Sequence, residues 1–192
     1  MNLRPLLLAS LILFHQAAAA STDEAEKRLQ TAVNEVLIAA DRAADRGALA
    51  ENLRPILQNH ISFSAMTRRA IGPGWRQFTE DQQKKATQLF TTLIIRTYSS
   101  KLTPGEHPVI QFKAASSPAP GRVEAPTTLL YQGSRYEVVY RLEEAEGWRI
   151  TDVVIEGVSL IANYRTQFDA QFKKGGASTV ISALTQSVAA PQ

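Results

Sequence analysis

The chain of 192 residues contains no cysteine, so disulfides and thiolate chemistry are closed to it. Histidine is scarce. Only His60 and His107 lie beyond the first twenty residues, far apart and in neither HxH nor HExxH spacing, which removes the common zinc arrangements. Past residue 20 no apolar run is long enough to span a bilayer. Charge of one sign is also thin. The formal net charge is +3, and the basic pairs Arg68-Arg69, Lys84-Lys85 and Lys173-Lys174 are scattered. A nucleic-acid surface needs a basic stripe with interleaved aromatics, and none is visible. A weak pull toward anionic surfaces or partners is all this charge supports.

The first twenty residues read as a secretory signal peptide. Arg4 supplies a positive start, Leu6 to Phe14 is an apolar stretch too short to span a bilayer, and Ala17 to Ala20 offers small-residue cleavage positions. With no cysteine after that stretch, lipoprotein attachment is excluded. Residues 21–192 are expected to form one domain outside the cytoplasm, stabilised by packing alone.

Helices come first in that domain. Ser21-Thr-Asp-Glu24 fits a capping box, and Leu29, Val33, Val36, Leu37 and Ala40 follow at helical spacing. Gly47 is expected to stop or bend the chain, with a second helix starting near Pro55. A helix over Ile61 to Arg69 closes at Gly72-Pro-Gly74. Thr79-Glu-Asp-Gln82 is another capping box. Behind it Ala86, Leu89, Phe90, Leu93, Ile94 and Tyr98 form an apolar stripe.

Prolines 104, 108, 118, 120 and 126 then rule out long helices and suit short strands. Val109 to Phe112 predicts a strand and Ala115 to Gly121 a loop, while Arg122–Glu124 and Thr127–Leu130 each predict a pairing segment. Arg135 to Arg141 alternates, with Tyr136, Val138 and Tyr140 on one face and Arg135, Glu137 and Arg141 on the other. Trp148 to Ile155 is a further strand, apolar on both faces near its end, so both faces should be covered there. A corner at Gly157 leads into a helix carrying Leu160, Tyr164, Phe168 and Phe172, which Gly175-Gly176 ends. A short last helix carries Val180 and Leu184. The fold class is α+β: a curved antiparallel sheet of about four to five strands packed against several helices.

Catalytic patterns are missing. Gly157-Val-Ser159 sits at a strand-to-helix corner but lacks the second glycine of a nucleophile elbow, so Ser159 reads as a helix cap. Asp152 and Glu156, four residues apart on a strand, lie roughly 13 Å apart, too far for a glycosidase pair. Surface or edge solvation is the expected role of both. Gly72-Pro-Gly74 lacks the flanking strand and Lys-Ser/Thr ending of a phosphate loop. No metal and no cofactor is expected. His60 reads as a satisfied, half-buried residue and His107 as a solvated one. Large apolar and aromatic side chains are abundant by contrast, and a filled core and a pocket for an apolar ligand both account for them.

Read in order, Ile61-Ser-Phe63, Ala70-Ile-Gly-Pro-Gly-Trp-Arg76, Thr79-Glu-Asp-Gln82, the helix through Phe90 and Tyr98, and Gly147-Trp148 through Gly157-Val-Ser-Leu160 resemble the MlaC, or toluene-tolerance, family. The resemblance runs on to Phe168 and the Gly175-Gly176 break and so covers nearly all of residues 21–192. It is weakest from Thr103 to Ser134.

The family consists of periplasmic phospholipid-binding proteins of Gram-negative bacteria. The resemblance implies a monomeric carrier, not an enzyme, with acyl chains in a pocket between sheet and helices and the head group left largely outside. It also implies a shuttle that maintains outer-membrane lipid asymmetry. The implied partners are an outer-membrane lipoprotein–porin complex and an inner-membrane ABC transporter bearing an MCE-domain protein. By position, Trp75 matches a family aromatic, Val158 should line the pocket, Arg135 occupies a basic position, and Gln83 stands where some relatives carry arginine. The expected pocket is Trp75, Phe90, Ile94, Tyr98, Val138 and Tyr140, together with Ile150, Ile155, Val158, Ile161, Tyr164 and Phe168. Arg68, Gln83 and Arg135 are the expected docking residues. Three alternatives stay open: a carrier of another membrane lipid such as a hopanoid, an enzyme with a hidden site around an acid such as Asp152, and an adaptor with a filled core.

Overall fold

The computed structural model describes residues 6–106 and 108–190, with side chains from residue 22 onward. His107 and the side chains of the leader lie outside the described residues. Helix α1 (Leu6–Arg42) is followed by α2 (Arg46–His60), α3 (Phe63–Ile71), a 3-10 turn (Gly72–Gln77) and α4 (Glu80–Ser99). Six strands come next: β1 (Val109–Phe112), β2 (Ser116–Ala119), β3 (Arg122–Tyr131), β4 (Ser134–Ala145), β5 (Gly147–Ile155) and β6 (Val158–Ser159). Helix α5 (Leu160–Ala189) closes the chain. The protein is α+β, as the sequence indicates. Its sheet is antiparallel, curved and unclosed, in the order β1-β3-β4-β5-β6, and β2 also pairs with β3.

The helix boundaries follow from their caps. Thr79 and Gln82 form the reciprocal capping box of α4, with Thr79 Oγ1 accepting from Gln82 N at 3.2 Å and Gln82 Oε1 accepting from Thr79 N at 2.9 Å. Two expected helix starts are displaced. Helix α1 runs unbroken through Ser21–Glu24, so no helix begins there. Helix α2 starts nine residues before Pro55, because the Asp45 carboxylate caps Ala48 N at 2.8 Å. Gly47 therefore does not stop α1. It lies in the first turn of α2, where an added Cβ would sit 3.2 Å from the capping Asp45 Oδ1. Pro55 is inside α2, which goes without one backbone donor there.

The sheet exceeds the expected strand number because Ser116–Ala119, read as loop, pairs with β3 at Glu124 and Arg122, and Val158–Ser159 adds β6 beside β5. The two expected segments of β3 are one strand. Pro126 is tolerated within it because its backbone faces the gap between β1 and β2. Its carbonyl accepts from Lys113 N at 3.0 Å, and the missing N–H points the same way. Glu156 and Gly157, at φ 50° and 77°, turn β5 into β6 so that Ile155 faces Val158.

Buried apolar side chains form three clusters. The helical cluster centres on Phe63, Met66, Phe90, Ile95, Phe168 and Leu184. A second joins Ala25 and Leu29 of α1 to Val123, Leu142, Trp148 and Ile150 of the sheet. A third packs α1 on α2 through Ala40, Leu49 and Leu53. Ile61 touches the first two and Leu57 the first and third. The link is tightened by a bridge from Ile61 to Ile150, with Ser62 N donating to Ile150 O at 2.9 Å. Gly74 allows the 3-10 turn to meet α5, since a Cβ there would come within 2.9 Å of the Phe172 ring. Gly176, at φ 67°, breaks α5 into two helical halves, as the paired glycines predict.

Candidate functional site

One face of the sheet looks toward the helices. Strand pairing sets side by side Phe112 and Thr127, Thr127 and Val138, Val138 and Ile155, then Ile155 and Val158. These five residues form a row across β1, β3, β4, β5 and β6 on one face, because paired residues point the same way. Neighbouring rows contain Ile110, Leu129 and Tyr136 on one side and Ala125, Tyr140 and Val153 on the other. A register shift between Arg141 and Leu142 lets Ile150, like Val153, share this face, where Ile150 packs with Leu29 under α1.

Exposure changes along the row. Thr127 and Val138 are buried, whereas Phe112 is 38% exposed and Val158, at the β6 edge, is 62% exposed. Tyr136 beside them is 37% exposed. Burial pushes the Tyr140 phenol up to about 12, yet the side chain keeps accessible surface and its hydroxyl meets no partner among the described residues. Tyr98 is pushed up to about 12 by burial, with nearby Tyr164 adding to the rise. Burial also raises Tyr164.

The expected pocket residues therefore fall into groups. Phe90, Ile94 and Ile161 are buried in the helical cluster, with Tyr98 and Trp75 at its margin. Phe90 is the hub of an aromatic set, edge-on to Tyr164 at 5.0 Å and to Phe168 at 5.7 Å. Val138, Tyr140, Ile155 and Val158 stand on the inner sheet face, and Ile150 belongs to the sheet–α1 cluster. Trp75 is stacked on Phe78 at 5.7 Å. Sequence reasoning assigned no part of α1 to the site, although Val33 packs against the same sheet face and Val36 against α2. Their helical spacing was legible, but the surface they cover was not.

Of the expected docking residues, Arg68 is exposed and has no ion pair among the described residues. Gln83 is tied into the fold, its side-chain amide donating to Trp75 O and Phe78 O at 3.3 Å each. Arg135 pairs with Glu137 at 2.9 Å.

Asp152 corrects the sequence reading. It is 6% exposed, neither solvated nor at a free edge. Its carboxylate accepts from Ser159 Oγ at 2.7 Å, Arg141 Nη1 at 3.1 Å, Ile161 N at 3.2 Å and Val153 N at 2.9 Å. The register shift turns Asp152 and Val154 to the sheet face that meets the start of α5, so both faces of β5 are covered. Ser159 caps α5, accepting from Ala162 N at 3.0 Å, and makes no hydrogen bond to a histidine among the described residues. His60 is deeply buried, its Nε2 2.9 Å from Glu35 Oε2 and its Nδ1 without a partner. Among the described residues no group of three His, Asp or Glu side chains is placed to hold a metal.

These features define an α+β domain whose open curved sheet and helices face one another across an apolar interior. The chain belongs to the MlaC family, whose profile, described as MlaC protein, matches residues 25–186. A solved structure from Ralstonia solanacearum, a phospholipid-binding protein in complex with a phospholipid, superposes with a TM-score of 0.79 at 27% identity. The match covers 86% of this chain and 97% of that one. No curated protein matches the sequence.

Proposed function

We propose that this protein is a periplasmic phospholipid carrier. It holds acyl chains between the inner sheet face and the helices and moves lipid between outer- and inner-membrane complexes. Family membership and the phospholipid-bound relative support the ligand class. Tyr140 is the observation in this chain that supports the location. Its side chain is half-buried on the inner sheet face and its hydroxyl has no partner among the described residues, so an apolar ligand lying on that face would meet it. Val138, Tyr140 and Ile155 on the inner sheet face, with Val33 of α1 over that face, are the proposed walls. Val158, Phe112 and Tyr136 are the apolar rim of the mouth.

The physical need for such a protein is large. Two acyl chains carry about 30 methylenes, each costing about 0.8 kcal/mol in water, so a free lipid does not cross an aqueous space unaided. A carrier requires an apolar cavity and a mouth, and no reactive group. Residues 1–20 would direct export and be removed, leaving 21–192 as the carrier. Among the described residues no helix is long and apolar enough to cross a membrane. The proposed partners are the lipoprotein–porin complex of the outer membrane and an ABC transporter with an MCE-domain protein at the inner membrane.

Native mass spectrometry of protein purified from the periplasm without detergent tests this. A stoichiometric adduct of phospholipid mass is expected. A hopanoid-sized adduct would change the cargo. A bare mass that persists after incubation with liposomes would refute the carrier.

A further inference from the structure

A concavity opens where α2, the start of α3, α4 and the β4–β5 turn meet. It has a volume of about 810 Å³, within the range of small-ligand sites. It lies at the opposite end of β5 from the row described above. Its Arg149 and the row's Ile155 are six residues apart, about 20 Å along a strand. Its chemistry also differs. Only Ile61 and Phe63 give it large apolar surface, and the other lining groups are mostly hydroxyls, amides and charges. Acyl chains placed here would strand those polar groups without water.

Several of the groups are free to bind. Arg54, Gln58, Gln88 and Thr92 line the cavity and make no hydrogen bond to the protein among the described residues. Arg149 is anchored by donating to the carbonyl of Asn59. Two arginines from different elements thus line the cavity, with uncharged donors around them. A guanidinium presents donors in a fork that matches phosphate oxygens. Glu146 is the one carboxylate in the lining and opposes an anion.

We propose that this cleft is a second binding site, separate from the acyl pocket, for a small phosphate ester. Arg54 and Arg149 grip the phosphate, Gln58, Gln88 and Thr92 hold its ester portion, and Glu146 limits affinity. The site does not depend on the carrier reading. Titration reads the cleft and lipid load reads the pocket, so either can fail alone.

The experiment is isothermal titration of the purified full chain with glycerol 3-phosphate, with inorganic phosphate, and with vesicles of phosphatidylglycerol. Native mass spectrometry follows lipid load in parallel. Saturable one-to-one binding of glycerol 3-phosphate is expected. Arg54→Gln should weaken it about tenfold, the effect of one lost charge-assisted hydrogen bond. Glu146→Gln should strengthen it, and neither change should alter lipid load. Equal binding of inorganic phosphate would assign the site to free phosphate. Vesicle binding displaced by glycerol 3-phosphate would assign it to a lipid head group. Both outcomes support the shared chemistry. No saturable binding of any probe, or binding indifferent to both substitutions, overturns the proposal.

Discussion

The Ser159 hydroxyl donates to the Asp152 carboxylate across 2.7 Å, joining the residue that caps α5 to a buried acid in the middle of β5. The same carboxylate accepts from Ile161 N, so strand and helix meet at fixed geometry on either side of the exposed Val158. Asp152→Ala should cost about 2–3 kcal/mol, because the buried Ile161 amide loses its acceptor. Ser159→Ala should cost about 1 kcal/mol through the lost cap. Urea denaturation measures both. Equal, negligible losses would show that the corner is held by packing instead.

Tyr140→Phe tests whether the hydroxyl is unpaired. A buried phenol with a partner costs about 1 kcal/mol to lose, whereas one without a partner costs almost nothing. Stability within about 0.5 kcal/mol of the parent is expected in chemical denaturation. A larger loss would mean that the hydroxyl is bonded.

Val158→Glu places a charge at the rim, where the side chain is 62% exposed, so the fold should survive. Retained lipid is expected to fall to background in native mass spectrometry, with an unchanged circular dichroism spectrum. A folded variant that keeps its lipid would move the pocket elsewhere.

Phe90→Ala should behave oppositely. The ring is fully buried and meets Tyr164 and Phe168 edge-on. A loss of about 3–5 kcal/mol is expected on unfolding. A loss below about 1 kcal/mol in the same assay would indicate that the helical cluster is not close-packed there.

Glu137 gives a pH dependence. Its hydrogen bond with Lys113, then that with Arg135, lowers the carboxyl from 4.5 to about 2. Because the folded value is depressed, this contribution to stability is present above pH 4.5 and is lost as pH falls toward about 2. A carboxyl chemical-shift titration should place Glu137 well below the other glutamates. An ordinary midpoint would show that the outer-face triad does not persist in solution.

Much of the architecture was readable before the fold. The capping box at Thr79, the stripe from Ala86 to Tyr98, the alternation from Arg135 to Arg141 and the breaks at Gly157 and Gly175-Gly176 depend on neighbours a few residues away. Local hydrogen bonds and side-chain period decide such features. The displaced start of α2 was a local signal too, but Pro55 competed with Asp45 and the cap prevailed. The β1–β2 gap that admits Pro126 into β3 could not be read locally, because it is set by strands elsewhere in the chain.

By itself, then, the sequence determined the α+β order, the alternating faces of Arg135 to Arg141 and the resemblance to MlaC proteins. Tertiary structure decided which faces are covered. Asp152 has the sequence setting of a solvated strand residue, yet the register shift in β5 turns it against α5, where three partners besides Val153 N claim its carboxylate. Val158 and Val138 are the same residue type on the same row. Val138, on the central strand β4, is buried, and Val158, on the edge strand β6, is open. Burial is a property of long-range pairing, and no period along the chain encodes it.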